Sequence, residues 1–184
     1  MKLLKNVFNK QLLIIISCMV ATIAIVIWWH TRPDTKTLKT AEQVFEIADS
    51  VRKSYINKPD YWGLNTDLAI SNNMLTNVFY KNNMLVNALG KPILIGQGEE
   101  GLPAMPGSKS FDIVFTELST EECVALATYN HDLQNNLGLL QITIVSGEGS
   151  QDFGWGREES RLPVSRTDAK KICKNNSKVI WTLE

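Results

Sequence analysis

The sequence is short of the residues that most catalytic and metal sites require. It has two histidines and three cysteines among 184 residues, and neither histidine, His30 or His131, has a partner at metal-ligand spacing. No GxSxG or HExxH sequence is present, so nothing favours an enzyme. The 19 basic and 19 acidic residues balance without a basic cluster, which argues against nucleic-acid binding. We therefore expect a structural or binding protein without a cofactor or a metal.

One glycine motif has the spacing of a dinucleotide-binding fingerprint but lacks its setting. Gly96, Gly98 and Gly101 form GxGxxG after a predicted strand. Residues 102–106 contain two prolines and cannot begin the helix that would bind a pyrophosphate. Two glutamates inside the motif would also face that anion. We therefore interpret the motif as a loop.

The sequence does contain one long hydrophobic run without a charged residue. It extends from Leu12 to Trp29, behind a basic segment over residues 1–11. A helix rises about 1.5 Å per residue, so this run covers roughly 27 Å, close to the hydrocarbon thickness of a bilayer. The two final tryptophans suit the headgroup layer. We interpret residues 12–29 as a transmembrane helix that anchors a domain over residues 30–184.

Two other fates of the hydrophobic run remain open. A cleaved signal would need a small-x-small site at its end, and residues 22–24 match poorly. A lipidated Cys18 would be followed by a polar tether, whereas nearly all the residues after it are apolar. Basic residues flank both ends of the run. Because long domains translocate largely regardless of charge, we expect the N-terminus in the cytoplasm and residues 30–184 in the periplasm.

Cys123 and Cys173 are the two cysteines after the hydrophobic run. In a translocated domain such a pair normally forms a disulfide. Closing a loop of about 50 residues would stabilise the fold by roughly 4 kcal/mol on a chain-entropy basis. The alternative is two buried thiols.

Hydrophobic periodicity predicts a second helix followed by a sheet. Apolar residues recur every three or four positions from Leu38 to Tyr55, which indicates an amphipathic helix over residues 34–58. Residues 65–87 are predicted as a short helix plus irregular chain, and residues 147–163, rich in glycine and charge, as a long loop. Strands are predicted at 92–95, 110–115, 138–146 and 178–183, and short helices after Ser119 and over 165–174.

An aromatic pair in the predicted long loop is the candidate for contact with a protein partner. Phe153 and Trp155 are interleaved with Gly154 and Gly156. An exposed tryptophan between glycines can anchor a protein partner. The alternative is that Trp155 folds back onto the sheet, because large apolar side chains are buried on average.

Taken together, these elements resemble a type IV pilin, in the type IVb branch that includes the major pilins of conjugative thin pili. The resemblance is carried by the predicted strand over 110–118 with the helix bearing Cys123, by Cys173 followed by a last strand, and by 87–93 as a turn into the first strand. It implies an α+β fold. In this fold an N-terminal transmembrane and amphipathic helix packs on an antiparallel sheet, and a Cys123–Cys173 disulfide clamps the C-terminal region.

The sequence departs from this family at its N-terminus. The family has a glycine immediately before the hydrophobic segment, where prepilin peptidase cleaves, and a glutamate five residues into the mature chain. Here no glycine precedes Gly63, and no glutamate lies between Leu12 and Trp29.

The resemblance therefore implies a membrane-anchored pilin-like subunit, or an accessory protein, of a type IVb pilus or conjugation apparatus. Its partners would be the lipid bilayer and other pilin-like subunits or pilus assembly proteins, contacted through the N-terminal helix. It would reside in the bacterial inner membrane as a single-pass protein, or in the pilus. The alternative is an anchored periplasmic binding or assembly module with the same fold that does not polymerise.

Overall fold

The computed structural model describes residues 17, 19–23, 35–75, 80–81, 84–129 and 137–184. The chain divides into two compact units, Met1–Asp34 and Thr35–Glu184. In the first unit, residue 17 and residues 19–23 are helical. The predicted leader, residues 1–11, and the rest of the predicted span, residues 12–29, lie outside the described residues. No helix in the described part of the chain is both long and apolar enough to cross a bilayer.

The second unit combines helices with an antiparallel sheet. Its described helices are α1 (Thr35–Tyr55), α2 (Thr66–Ser71), α3 (Thr120–Ala127) and α4 (Arg166–Ile172). Its described strands are β1 (Tyr80–Lys81), β2 (Met84–Leu85), β3 (Ile93–Gly96), β4 (Phe111–Leu118), β5 (Leu139–Ser146), β6 (Gly149–Gly154) and β7 (Ser177–Leu183). Five strands form one antiparallel sheet in the order β3-β4-β7-β5-β6, and β1 pairs with β2 separately.

Helix α1 forms where the hydrophobic periodicity predicts it. The stripe of apolar residues at steps of three and four is buried, including Val44, Ile47 and Val51. The helix ends at Tyr55 rather than at the predicted residue 58, because Pro59 disfavours helical backbone in the residue before it. The Lys58 N–H instead donates to the Tyr55 carbonyl at 2.8 Å in a closing turn.

The sheet buries one face in the same core as α1. Ile113 of β4 pairs across the sheet with Trp181 of β7, and Trp181 also pairs with Ile142 of β5. All three side chains are fully buried. They belong to one hydrophobic cluster with the buried stripe of α1. The predicted α+β architecture, with an amphipathic helix packed on an antiparallel sheet, is therefore confirmed for residues 35–184.

Polar contacts fix α1 at two points along its length. Gln43 accepts a hydrogen bond from the Ala88 N–H at 2.9 Å, in the turn before β3. Near the other end, Arg52 donates to the Glu184 carbonyl through Nε at 2.7 Å and to the Leu137 carbonyl through its guanidinium. Gly138 has a positive φ of 63°, and a Cβ there would lie 2.8 Å from the Arg52 guanidinium. The lack of a side chain at Gly138 therefore leaves room for Arg52.

The predicted loop over residues 147–163 is wrong in its first part, because β6 occupies Gly149–Gly154. This strand pairs with β5 from Ser146 opposite Gly149 to Gln141 opposite Gly154. Its sequence, GSQDFG, is poor in β-branched residues and lies at the edge of the sheet. Backbone pairing with β5 and burial of Phe153 outweigh the low strand propensity.

Candidate functional site

Cys123 of α3 and Cys173, which directly follows α4, form a disulfide with Cα atoms 5.8 Å apart. Both side chains are buried in the core. The bond spans a sequence separation of 50, which includes β5, β6 and α4. The predicted clamp of the C-terminal region is therefore confirmed, and the alternative of two free thiols is excluded.

Each of the two helices beside the disulfide is capped at its N-terminus. Ser119 accepts from the Glu122 N–H at 3.4 Å while the Glu122 carboxylate accepts from the Ser119 N–H at 2.7 Å, which is a complete capping box for α3. Ser165 accepts from the Asp168 N–H at 3.0 Å at the start of α4. These caps define where each helix begins, and so they help to place the two cysteines.

Glu122 also connects α3 to the turn before β3. Its carboxylate pairs with the Lys91 ammonium, and both side chains are mostly buried. Burial alone would raise the pKa of Glu122, but the hydrogen bonds from Lys91 and Ser119 and the Lys91 charge outweigh it, so the pKa lies below its ordinary value. The folded protein therefore favours the ionised carboxylate.

We expect Glu122→Gln to remove a pH-dependent part of the stability. Glutamine can still cap α3, so the loss near neutral pH is that of a charge-assisted bond, roughly 1 kcal/mol. Because the pKa of Glu122 in the folded protein lies below the ordinary value of a glutamate, this contribution is fully present above that ordinary value and is lost as the pH falls through the folded pKa. Urea unfolding between pH 3 and 7 measures the difference.

The matched control for this pH series is Glu121→Gln. Glu121 is the exposed neighbour of Glu122 in the same helical turn, and its side chain pairs with no residue in the part of the chain that the structure describes. Its stability curve should run parallel to that of the unmodified chain. If the stability of the Glu122→Gln variant also runs parallel to that of the unmodified chain at every pH, the ionisation of Glu122 does not contribute to stability as proposed.

The two aromatic residues predicted as a partner contact occupy different environments. Phe153 is 1% exposed and packs in the core, whereas Trp155 is 45% exposed just beyond the end of β6. The Trp155 indole N–H donates to the Leu139 carbonyl at 2.7 Å, which holds the ring at the start of β5. Leu140, the next residue of β5, is also exposed. Trp155 is thus the one of the two that is available at the surface.

A second exposed apolar patch was not predicted from the sequence. It consists of Trp62, Leu102 and Met105, and the exposed fractions of Trp62 and Met105 are 65% and 68%. Backbone hydrogen bonds bring the two segments together: the Gly63 N–H donates to the Ala104 carbonyl at 2.8 Å, and the Ala104 N–H donates to the Leu64 carbonyl at 2.9 Å. Exposed apolar patches of this kind often mark protein contacts.

The glycines of the GxGxxG motif have a structural explanation. Gln97 and Leu102 pair with each other through backbone hydrogen bonds in a tight turn. A Cβ on Gly96 would lie 2.4 Å from the Leu102 carbonyl oxygen, and one on Gly101 would lie 2.8 Å from the Leu94 Cβ. The turn is held to the sheet because the Gly98 N–H donates to Asp112 at 2.6 Å. The segment is a loop, as interpreted from the sequence.

The described residues offer no group of three or more metal-binding side chains close enough to hold an ion. His30 and His131, the two histidines, lie outside the described residues.

A sequence model of the Bundlin family matches residues 32–184 of the chain. No curated protein sequence matches it. Among solved structures, the fold is similar to that of the type IVb pilin from Salmonella typhi, at 14% identity and a TM-score of 0.51, with 77% of this chain and 95% of that chain covered. It is also similar to TcpA, a type IV pilin from Vibrio cholerae El Tor biotype, at 13% identity and a TM-score of 0.54, covering 82% of this chain and 100% of that chain. At these identities the structural likeness concerns the fold.

Proposed function

From the premise that the chain belongs to the Bundlin family, within the type IVb branch of the type IV pilins, we propose that it is a membrane-anchored subunit or accessory protein of a type IVb pilus or conjugation apparatus. The family match over residues 32–184 carries this proposal. The domain over residues 30–184, which we call the head, has α1 packed on its sheet and is clamped by the disulfide, and such a scaffold is suited to structural assembly. The proposed role is structural rather than enzymatic.

We place the anchor in the hydrophobic run. Residues 1–11 are a basic cytoplasmic leader, residues 12–29 cross the inner membrane, and residues 30–184 form the head on the periplasmic side. The support is the absence of charge from Leu12 to Trp29 and a length that fits a bilayer. We propose that this apolar segment packs against the same segment of other subunits, and that the N-terminal helix contacts its partners in this way.

We further propose that the head contacts partners through its exposed tryptophans. Trp155 donates to the carbonyl of Leu139, the residue before the exposed Leu140. Trp62 lies on the segment that pairs with residues 104–108. Tryptophan supplies large contact area with few rotatable bonds, which is why it is enriched where binding energy concentrates. Phe153 is buried in the core and is not part of this proposed contact surface.

Fractionation of cells that express the epitope-tagged chain tests the proposed function. Pili are sheared and separated from membranes and periplasm, and the mature N-terminus is read by mass spectrometry. Recovery with sheared filaments, after removal of a short leader, supports a polymerising subunit. Recovery as a freely soluble periplasmic protein would overturn both the anchor and the assembly role.

A second candidate function has one specific observation in its favour. The absence of glycine before Gly63 and of glutamate in Leu12–Trp29 departs from the processing and assembly pattern of pilins. It favours an anchored module that binds or assists subunits without polymerising. An intact Met1 together with recovery only in the membrane fraction would select this function over the first.

A further inference from the structure

Gly154, the last residue of β6, leaves a space on the outer face of the sheet that an arginine fills. Phe153 is buried in the core, so Gly154 lies on the opposite face, because successive residues of a strand alternate between faces. A Cβ on Gly154 would lie 3.1 Å from the Nε of Arg157. The Arg157 side chain therefore lies over Gly154 on this outer face.

Neutral groups of the sheet hold the Arg157 guanidinium in place. Its Nη1 donates to the Asp152 carbonyl at 3.3 Å, and its Nη2 donates to the Gln141 Oε1 at 3.2 Å. Gln141 is itself fixed, because its Nε2 donates to the Thr143 hydroxyl at 3.0 Å. Thr143 in turn donates to the Asp152 carboxylate at 2.8 Å. A guanidinium has more N–H donors than these two bonds use, so it is oriented but still able to bind another group.

A second arginine lies beside Gly154 on the same face. Arg161 pairs with Gly154 in a parallel bridge. The Gly154 N–H donates to the Ser160 carbonyl at 3.0 Å, and the Gly154 carbonyl accepts from the Leu162 N–H at 3.1 Å. Residues that pair across neighbouring strands share a face of the sheet, so Arg161 projects to the same side as Arg157. Both arginines are exposed, and neither forms an ion pair with any residue in the described ranges.

The exposed Trp155 lies next to this pair of arginines. Its indole N–H donates to the Leu139 carbonyl, and Arg157 bonds to the side chain of Gln141, two residues further along β5. Two residues of a strand span roughly 7 Å, so the ring and the guanidinium are anchored about that far apart. We call Trp155, Arg157 and Arg161 the tryptophan–arginine surface.

From this arrangement we propose that the tryptophan–arginine surface binds an acidic segment of a different protein, in which a carboxylate and an apolar side chain lie two positions apart. An oriented guanidinium pairs with a carboxylate through two parallel hydrogen bonds. The Trp155 ring contacts the apolar side chain, because residues two positions apart in an extended segment are separated by roughly 7 Å. Tryptophan and arginine are also the residue types in which binding energy concentrates. This inference rests on the partner contact proposed above for Trp155 and names the chemistry of that partner.

The charges around the surface favour a carboxylate on a protein over a phosphate-rich partner. Glu158 and Glu159 lie between the two arginines in sequence and are exposed, so this segment has no net charge. Anionic bilayers and nucleic acids attract surfaces with an excess of basic charge. A surface with no net charge and an oriented guanidinium instead selects its partner by hydrogen-bond geometry.

Titration with a short peptide tests the surface on the full chain. The chain is solubilised in an uncharged detergent, labelled with 5-fluorotryptophan and titrated with acetyl-Gly-Leu-Ser-Glu-Gly-amide. The fluorine NMR signal of Trp155, assigned with Trp155→Phe, reports binding. We expect this peptide to bind about tenfold more tightly than the same peptide with Gln in place of Glu, because only the carboxylate forms the charged bidentate pair.

Arginine variants separate recognition from a purely structural role. Arg157→Gln should abolish the preference for the acidic peptide, and Arg157→Lys, which keeps the charge without the fork, should lower it to about threefold. Arg161→Gln should also lower it. Arg166→Gln, at the exposed start of α4, is the matched control and should keep the full preference. If Arg157 only caps the Asp152 carbonyl at the edge of the sheet, its variants will lower the thermal stability and leave the preference unchanged, which would refute the proposal.

The remaining outcomes distinguish this inference from the proposed assembly function. Equal binding of the two peptides, or loss of the preference in Arg166→Gln, would overturn the inference. A Trp155 signal that moves with the concentration of the chain and not with the peptide would also overturn it, because the surface would then contact a second copy. If the chain enters filaments but shows no peptide preference, the assembly function stands without this site. If the peptide binds but the chain never enters filaments, the site stands and the assembly function falls.

Discussion

Replacement of Cys123 and Cys173 by serine is expected to lower the free energy of unfolding by about 4 kcal/mol. The disulfide joins residues 50 positions apart, so its loss restores considerable freedom to the unfolded chain. It also leaves two hydroxyl groups in a site where both sulfur atoms are buried. Denaturant unfolding of the purified chain, compared with and without reductant, measures the effect.

The loss of stability should also lower the amount of the chain in the cell. A head that is less stable by several kcal/mol is more exposed to proteases, so the abundance of the chain should fall severalfold. Cys18→Ser is the matched control, because Cys18 precedes the head and takes no part in the clamp; its unfolding curve should not move. If the double serine variant unfolds at the same denaturant concentration as the control, the clamp does not contribute to stability as argued.

The elements that the sequence predicts well are those whose signal is local. Helix α1 follows from the three-and-four spacing of its apolar residues, and the start of α3 follows from Ser119 and Glu122 as a capping pair. The disulfide follows from the predicted compartment and from the presence of just two cysteines after the hydrophobic run. Each of these inferences needs only a short window of sequence or a simple count.

The elements that the sequence predicts poorly depend on distant partners. Strand β6 has the composition of a loop and becomes a strand because β5 lies beside it. The exposed apolar patch of Trp62, Leu102 and Met105 forms because residues 61–64 pair with residues 104–108, about forty positions away in sequence. The separation of Phe153 from Trp155 has the same origin, since one ring faces the core from β6 and the other lies beyond the strand end. Pairing of this kind has no local signature.

Truncation of the two aromatic residues near the end of β6 should lower stability by clearly different amounts. Phe153→Ala removes a ring from the core and is expected to lower the free energy of unfolding by about 3–5 kcal/mol. Trp155→Ala removes a half-exposed ring and one hydrogen bond to the Leu139 carbonyl, and its stability loss should be about 1 kcal/mol. Denaturant unfolding of the two variants separates these magnitudes.

Recovery in assemblies provides the second readout for the same variants. If Trp155 contacts a partner, Trp155→Ala should reduce recovery well beyond its small effect on stability, because a buried tryptophan at an interface is worth about 2 kcal/mol or more. Trp155→Phe keeps a ring without the indole N–H, and so distinguishes loss of contact area from loss of the bond that orients the ring. Phe153→Leu conserves most of the core volume and should retain both stability and recovery. Should Trp155→Ala assemble as well as the unmodified chain, the exposed ring serves only to fasten the segment after β6 to β5, and the contact surface must lie elsewhere on the head.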